Sequence, residues 1–483
     1  MPLDLASAAP LLPTAYPVQD YDPLMKGMVI GGIGILHVFL ASFAIGGGFL
    51  LWWFEWLGQT GREPLARRFI DSVFRALIFV SFIVGAITGV GMWLTAIQIS
   101  SPTIGLMVDV FHWVWATEWL FFWLEVVAGY AFFRYGDRLN GRTRLRLLTI
   151  YSIAGFGSLF WINGILSWQL TPGEWVETGS VWAGFFNPTF WPSLLFRTVV
   201  CFVLAALGGT IVLNLVGGFT REERERLLHR ISPFFLPMLA MPFLGAWYLA
   251  AMPEDSRDWI LGGSMVINMF FNIAVGASTL IGGYGVIALW RQRNFMNGAT
   301  ATLLAALAFG ATGAGEFIRE GVRKPYTVRE TLFSTAVTPA QVATLRETGI
   351  LATDPYPLRN PEEYPTEQLR EGRLVYRNLC SICHTVHGAM ALNALMGEWS
   401  IEQKRLMVAK LQWTGGYMPP FAGSASELES LVQYIAWEHA KRPKEWRESR
   451  DPVVIEEIAR MLEEATTLPS PAAQKAAAAE ESR

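Results

Sequence analysis

Long apolar segments separated by short polar connections fill the first two thirds of the sequence. A helix needs about 20 mostly apolar residues to cross a hydrocarbon core of about 30 Å. Segments of that length occur at 27–57, 75–99, 110–135, 147–169, 190–218, 233–251, 259–290 and 299–318. The pattern predicts an all-α protein, namely a polytopic transmembrane helix bundle of about eight spans.

The charges in the connections indicate how the bundle is oriented. Every second connection is rich in arginine, at 62–75, 134–146, 221–230 and 291–293. Arg257 is the only basic residue in the three connections between them. Short cytoplasmic loops carry the excess of Lys and Arg. With eight spans, this bias predicts that both termini lie outside.

The composition agrees with a membrane protein. The chain of 483 residues is 52% hydrophobic and contains 20 Trp, and its mean hydropathy is +0.32. The net charge of −3 shows no basic surplus, so nucleic acid is not an expected partner. Residues 1–24 lack a basic n-region, and we therefore expect the first apolar helix to insert and stay in the membrane.

The most specific motif is Cys380-Ser381-Ile382-Cys383-His384. Two thiols at this spacing add to the vinyl groups of a haem while the adjacent imidazole binds the iron. Met418, on a Pro-containing turn, is the candidate sixth ligand, and a His/Met pair carries electrons without binding substrate. A redox-active thiol pair and a zinc site are the alternatives. The third cysteine, Cys201, lies alone in an apolar segment.

This motif predicts a C-terminal single-haem cytochrome c domain with one covalent haem c. Haem is attached covalently outside the bacterial cytoplasmic (inner) membrane, so the domain is expected on the outer, periplasmic side. That placement agrees with the arginine pattern. The predicted order is an extracytoplasmic segment at 1–24, the bundle at 25–320, an extracytoplasmic linker at 321–365, the cytochrome c domain at 366–445 and a tail at 446–483.

Ionisable side chains in hydrocarbon are costly, and each needs a partner or a function. His37 is mid-span among glycines, which leave room for a flat ring. Glu118 and Glu125 are seven residues apart, so they share one helix face and are candidates for an iron ligand and a proton relay. Glu316, at the outer end of the last span, is a third candidate carboxylate. A histidine bonded across helices and neutral, hydrogen-bonded glutamates are the structural alternatives.

Arg319 and Arg323 follow Glu316 closely and are candidates to bind haem propionates through charge-assisted bonds, a solvated ion-pair cluster being the alternative. His112 lies near a span boundary and on a different helix face from Glu118, which makes it a weaker candidate ligand. The remaining histidines are expected to be solvated or locally bonded: His229, His387 and His439.

Four stretches resemble the large catalytic subunit of the cytochrome bd oxidases. Residues 35–40 are similar to the helix whose histidine ligates a high-spin haem, and residues 85–92 to the glycine-rich second helix. Residues 116–125 resemble the paired-glutamate helix at the di-haem oxygen site. Glu316 with residues 321–326 resembles the family's Glu-x-Gly-Arg-Gln-Pro-Trp, whose glutamate ligates the other high-spin haem.

The chain also departs from that family. Arg197 stands where the family has the histidine of its low-spin haem b, and Ala274 where it has the partner methionine. The quinol-binding loop is reduced to residues 252–257, and the cytochrome c domain replaces the ninth span. The resemblance therefore implies a bd-like oxidase fused to a cytochrome c domain, not a quinol oxidase.

The resemblance also implies a role for each bundle residue. His37 would ligate one of two further haems of b or d type and Glu316 the other, with Glu118 as ligand or proton donor and Glu125 on the proton route. Electrons would enter from a cytochrome or another periplasmic donor and reduce O2 to water. A second membrane subunit and the lipid bilayer are the other expected partners.

Three alternatives remain open. In the first, the chain is an electron-transfer subunit of a larger respiratory complex without its own oxygen reduction. In the second, it is an anchor whose bundle holds no haem, and in the third, it is a nitric oxide reductase. The number of haems separates the oxidase from the anchor, since three haems per chain favour the oxidase and one favours the anchor.

Overall fold

The computed structural model describes residue 21 and residues 23–215, 218–291, 298–413 and 416–467. The chain forms two compact units. The first comprises Met1–Gly31, Trp93–Leu106 and Arg323–Arg483, and the second comprises Gly32–Met92 and Met107–Val322. Each unit has its own apolar core.

Helices build the second unit, and α1, α3 and α4 also contribute residues to the first. The helices are α1 (Lys26–Gln59), α2 (Ala66–Ile78), α3 (Ala86–Ile99), α4 (Ser101–Tyr135), α5 (Gly141–Trp168), α6 (Trp175–Thr178), α7 (Val181–Phe185), α8 (Phe190–Leu215), α9 (Arg221–Ile231), α10 (Met241–Ala251), α11 (Glu254–Asp258), α12 (Met265–Arg291) and α13 (Gly298–Gly321). Short π-helical segments at Phe79–Gly85 and Trp259–Gly263 and 3-10 segments at Gly136–Arg138 and Ser232–Ala240 connect some of them.

The predicted transmembrane helix bundle is confirmed. In the described residues, six helical segments are long and apolar enough to cross a membrane: Lys26–Gln59, Gly141–Trp168, Phe190–Leu215, Arg221–Ala251, Met265–Gly285 and Ala299–Gly321. A bent pair, Ile83–Ile99 and Ser101–Arg138, turns through 115° and adds a seventh if it counts as one span. The predicted number of eight treats the two arms of this pair as separate spans.

The core of the bundle is organised around α8, which packs against α2, α5, α10 and α13. It also lies close to α1 at Gly46, where an added Cβ would lie 1.9 Å from the Cys201 carbonyl oxygen. Small residues at such crossings let helix backbones approach closely within a membrane. Gly46 therefore sets the distance between α1, which carries His37, and the buried face of α8.

We expect Gly46→Ala to lower the thermal stability of the purified protein, because the new methyl group forces α1 away from α8. Overpacking of this kind costs about 1–3 kcal/mol, occasionally more. Gly276→Ala in α12 is the matched control, since nothing lies within 4 Å of its added Cβ. Equal melting temperatures for the two variants in detergent would show that the α1–α8 crossing is not tightly constrained.

Beyond residue 323, the described part of the first unit contains six helices and a hairpin. They are β1 (Tyr326–Val328), β2 (Leu332–Phe333), α14 (Gln341–Thr348), α15 (Glu367–Leu379), α16 (Leu392–Met396), α17 (Ile401–Ala409), α18 (Ala425–His439) and α19 (Pro452–Thr467), with 3-10 turns at Leu351–Thr353, Pro361–Glu363 and Leu411–Trp413. The two strands pair antiparallel. α15 packs along α18, which also contacts α17 and α19.

The apolar core of this unit draws on more of the chain than residues 366–445. It includes Val342 and Leu345 from the predicted linker and Ile458 and Leu462 from the predicted tail. The domain boundaries themselves stay a prediction. Some of the predicted features lie partly outside the described residues. They are the N-terminal segment (1–20 and 22), the arginine-rich connection at 291–293 (292–297) and the tail (468–483).

Candidate haem sites

The Cys-x-x-Cys-His motif forms one tight turn at the end of α15. Cys380 ends this helix, and the backbone N–H groups of Cys383 and His384 donate to its carbonyl oxygen at 3.1 and 3.0 Å. The Tyr376 hydroxyl donates to the His384 carbonyl at 2.8 Å. These bonds hold two thiols and the imidazole on a single turn, as a haem attached through both vinyl groups requires.

The His384 ring is oriented for metal binding. Because the Met390 carbonyl can only accept, Nδ1 of His384 donates to it, at 3.0 Å. Burial lowers the pKa of His384, and the bond to Met390 partly opposes this. The Nδ1 bond leaves Nε2 to face a metal, and metal-ligating histidines are commonly oriented by such a bond from the other ring nitrogen.

The chemistry of the two thiols disfavours the redox and zinc alternatives. Cys380 and Cys383 are both free and partly buried, and burial, with the neighbouring Cys383, raises the pKa of Cys380 to about 12. A redox-active pair needs a thiol with a lowered pKa. The described part of the chain also holds no group of three or more His, Cys, Asp or Glu side chains suited to a metal ion.

Met418 lies on the segment between α17 and α18. Gly416 has a φ of 73°, and Phe421 is anchored in the core with 1% of its surface exposed. Between α17 and Met418, the indole N–H of Trp413 is buried and has no hydrogen-bond partner in the described structure. Buried donors are almost always satisfied. A haem propionate has oxygens that accept a hydrogen bond from such an indole N–H, so the residues present fit a haem.

The first turn of α1 contacts the haem motif. The Gly27 N–H donates to the Ile382 carbonyl at 3.3 Å, and the buried Lys26 ammonium donates to the Arg377 carbonyl at 3.4 Å. Ile382 lies between the two cysteines, so the beginning of the first membrane helix and the haem attachment turn belong to one packed unit.

In the bundle, His37 is positioned by the second apolar segment. Its Nδ1 lies 3.2 Å from the Thr88 hydroxyl oxygen, whose own proton is shared with the Val84 and Gly85 carbonyls at 2.8 and 3.0 Å. The hydroxyl therefore accepts from Nδ1, which leaves the Nε2 lone pair for a metal. A Cβ at Gly89 would approach the His37 ring to 3.1 Å, so glycine makes room for it.

Glu118 and Glu125 both face α5. The Ser158 hydroxyl donates to Glu118 at 2.6 Å. Glu125 is buried, with 8% of its surface exposed, and its carboxyl lies against Gly155, where a Cβ would be 3.2 Å away. The Tyr151 side chain is the neighbouring polar group on α5. The two-turn spacing thus produces the shared face that the sequence predicts.

Glu316 lies between two arginines. Arg319, one turn along α13, bonds it at 2.7 Å, and Arg197 of α8 reaches its other carboxylate oxygen at 3.9 Å. Arg197 is thus paired with a candidate haem ligand. Arg323 belongs to the first unit, is buried, and donates to the Thr327 carbonyl at 3.3 Å. The contacts that Glu316, Glu118 and His37 make with other helices run to α8, α5 and α3, respectively.

The other histidines have local environments. His112 is exposed, next to Trp113, and α4 is kinked at the preceding residue, Phe111. His387 bonds Glu438 at 3.0 Å, and His439 bonds Asn393 at 2.9 Å. These contacts are the local bonds expected for such side chains.

No pattern in the sequence indicates Thr88 and Ser158 as the groups that bond His37 and Glu118. They are 51 and 40 residues away along the chain. Helical periodicity relates only residues a few positions apart, so it cannot pair side chains on different helices. Gly89, which follows Thr88, was the only nearby residue that indicated the contact with His37.

Comparisons with known proteins support both parts of the chain. A family model described as "Cytochrome C oxidase, cbb3-type, subunit III" matches residues 367–435, the range that contains the Cys-x-x-Cys-His motif and Met418. Among solved structures, the chain is similar to "The structure of bd oxidase from Geobacillus thermodenitrificans", with a TM-score of 0.58 and 16% identity over 66% of this chain and 91% of that one. The chain joins a bd oxidase fold to a cytochrome c region. No curated protein matches it.

The predicted resemblance is therefore confirmed at the level of the bd oxidase fold and of the cytochrome c region. The cytochrome c region supports one covalent haem c. Oxygen reduction, two further haems in the bundle and the roles of individual bundle residues stay predictions.

Proposed function

We propose that this protein is a bd-like membrane oxidase that takes electrons through its cytochrome c region and reduces O2 to water. The observation that carries the proposal is the presence, in one chain, of a bd oxidase fold and a cytochrome c region. A tethered electron carrier gives the bundle its own entry for electrons, so no quinol is required.

The entry site consists of Cys380, Cys383, His384 and Met418. The two thiols would attach the haem, and the imidazole and the thioether would hold its iron. Such a pair raises the reduction potential and leaves no open position at the iron. This region therefore transfers electrons and does not bind oxygen. The bond from His384 Nδ1 to the Met390 carbonyl, which leaves Nε2 for the iron, supports its role as a ligand.

In the bundle, His37 and Glu316 are the proposed ligands of two haems, and Glu118 is a ligand or proton donor at the iron that binds gas. When bound, these haems supply the electron transfer and the oxygen binding. The chain itself holds and orients them, and Glu118 and Glu125 hold protons near the site. Oxygen reduction consumes protons, and buried carboxylates with matched pKa values deliver them efficiently.

Two features support the exclusion of a quinol. Arg197, at the position of the family's low-spin haem ligand, is paired with Glu316. The connection after α10 consists of the five-residue helix Glu254–Asp258 and the turn Trp259–Gly263, which leaves no long loop for quinol binding. We propose that electrons instead come from a cytochrome or another periplasmic donor.

The proposed location is the bacterial inner membrane, with both termini and the cytochrome c region on the periplasmic side. The contact of Gly27 with the haem motif supports a common side for the start of α1 and this region. A second membrane subunit is a further proposed partner. The broad apolar face of α4 is available to it or to lipid, with Trp113, Trp119 and Trp123 exposed.

Haem analysis combined with oxygen consumption tests the proposal. Pyridine haemochrome analysis of purified protein is expected to give three haems per chain, one of them of c type. Addition of CO to the reduced protein is expected to shift the high-spin absorption. Reduced cytochrome c or an artificial donor is expected to support oxygen consumption, whereas a quinol is not.

Each result has a distinct meaning. One haem per chain without a CO response indicates a cytochrome c on a membrane anchor. Three haems with no oxygen consumption from any donor indicate an electron-transfer subunit. Consumption of nitric oxide but not of oxygen identifies a nitric oxide reductase and overturns the choice of substrate.

A further inference from the structure

Two helices outside the matched cytochrome c range pack on this region. α14 precedes residues 367–435 and α19 follows them. Val342 and Leu345 of α14 and Ile458 and Leu462 of α19 are buried in the same apolar core as α15 and α18. Both helices are thus part of the packed structure around the cytochrome c region, although the family match does not include them.

Arg346 of α14 connects α19 to the residues that follow Met418. Its Nε donates to the Phe421 carbonyl at 3.0 Å, and its Nη1 donates to the Leu462 carbonyl at 2.8 Å. The planar guanidinium presents these donors in a fixed fork, and bonds from a charged donor are about twice as strong as neutral ones. Phe421 lies three residues after Met418 and is buried.

α19 also binds the residues that precede Met418. Gln412 donates to the Ala465 carbonyl at 2.8 Å, and the Lys410 ammonium pairs with Glu464 at 2.9 Å. Gln412 lies six residues before Met418. The last turns of α19 are therefore bonded to the chain on both sides of the candidate ligand, directly at Gln412 and through Arg346 at Phe421.

We propose that Arg346 and the C-terminal helix α19 form a clamp that positions Met418 as the axial ligand of haem c. The inference rests on the proposed function, because it takes Met418 to be the sixth ligand. Methionine is flexible, with three rotatable side-chain bonds. Fixing the backbone on both sides removes conformations in which the thioether lies away from the iron, and so favours the ligated form.

The clamp makes Arg346 a positioning residue that acts through Met418. Without its two bonds, the segment before α18 opens more easily and an external ligand competes better for the sixth position. Hydrogen bonds from a charged donor are among the stronger ones in proteins. We therefore expect the apparent affinity of the ferric haem for added imidazole to rise about tenfold in Arg346→Gln, since 1.4 kcal/mol corresponds to a factor of ten.

The experiment titrates the oxidised, full-length protein in detergent with imidazole. It follows the weak red absorption band that methionine ligation gives to ferric haem. Arg346→Gln is expected to bind imidazole about tenfold more tightly, Gln412→Ala more tightly by a smaller factor, and Arg346→Lys between Arg346→Gln and the unaltered protein. Arg370→Gln is the matched control, since Arg370 also bonds a carbonyl, that of Pro361 at 3.1 Å, and pairs with Glu367.

Wild-type imidazole affinity in Arg346→Gln and Gln412→Ala, with haem c content intact, would overturn the clamp. If Arg346→Gln does not fold, Gln412→Ala decides alone. Met418→Ala separates this outcome from failure of the proposed ligation. If Met418→Ala leaves the red band unchanged, another methionine is the sixth ligand and the proposed ligation by Met418 is wrong, whereas the covalent haem c stands.

Discussion

Replacing Cys380 and Cys383 together by serine is expected to remove all covalently bound haem and to abolish the proposed oxygen consumption with a reduced cytochrome donor. Serine hydroxyls do not form the thioether bonds that attach haem c, so its content falls from one per chain to none. Because the proposed donor delivers electrons only through this haem, the bundle then receives none. Haem staining of a denaturing gel and oxygen consumption by the purified protein measure the two effects.

The third cysteine supplies the control for this experiment. Cys201→Ser changes a buried thiol in α8, which belongs to the second unit, and is expected to retain the stained haem and the activity. Oxygen consumption that persisted in the double variant would mean that electrons reach the bundle by another route, and the cytochrome c region would then not be the entry site.

Replacing His37 by leucine is expected to remove one haem from the bundle and the CO-induced shift, with haem c unchanged. The imidazole is the proposed ligand, and leucine has no lone pair to replace it. Thr88→Val removes only the bond that orients the ring, and loss of such an outer-shell partner typically weakens metal binding about 10–100-fold. Haemochrome analysis measures the haem content, and CO difference spectra report the gas-binding site.

His112→Leu is the control for the second prediction, because His112 is exposed and also lies on an apolar helix. It is expected to keep three haems and the CO response. If His112→Leu, but not His37→Leu, loses a haem, the ligand assignments of the two histidines are reversed. The parallel variant Glu316→Gln is expected to lose the other haem of the bundle, whereas Glu320→Gln, which changes the next glutamate along α13, is expected to keep it.

The predictable features were those encoded locally. The Cys-x-x-Cys-His motif needs five consecutive residues, and one helical turn brings its three reactive groups together. The apolar segments are visible because each must be long enough to cross the hydrocarbon core. The seven-residue spacing of Glu118 and Glu125 likewise predicts one helix face, and both side chains do face α5.

Contacts between distant segments were not predictable. The bond of Thr88 to His37, the Ser158 bond to Glu118 and the pairing of Arg197 with Glu316 each join different helices. The 115° bend after Ile99 was also not predicted, because the two arms read as separate apolar segments. The contacts of α19 were not predicted either. Its Ala465 carbonyl accepts from Gln412, and its Leu462 carbonyl accepts from Arg346.

The sequence alone determined the class of this protein. Its apolar lengths specify a helix bundle in a membrane, and its cysteines and histidine specify a covalent haem, since both signals depend on residues adjacent or a few positions apart. Only the tertiary structure decided which tautomer of His37 is held, which arginines surround Glu316 and which helices bracket Met418. These properties depend on side chains that meet only after helices pack, and no pattern within one segment contains that information.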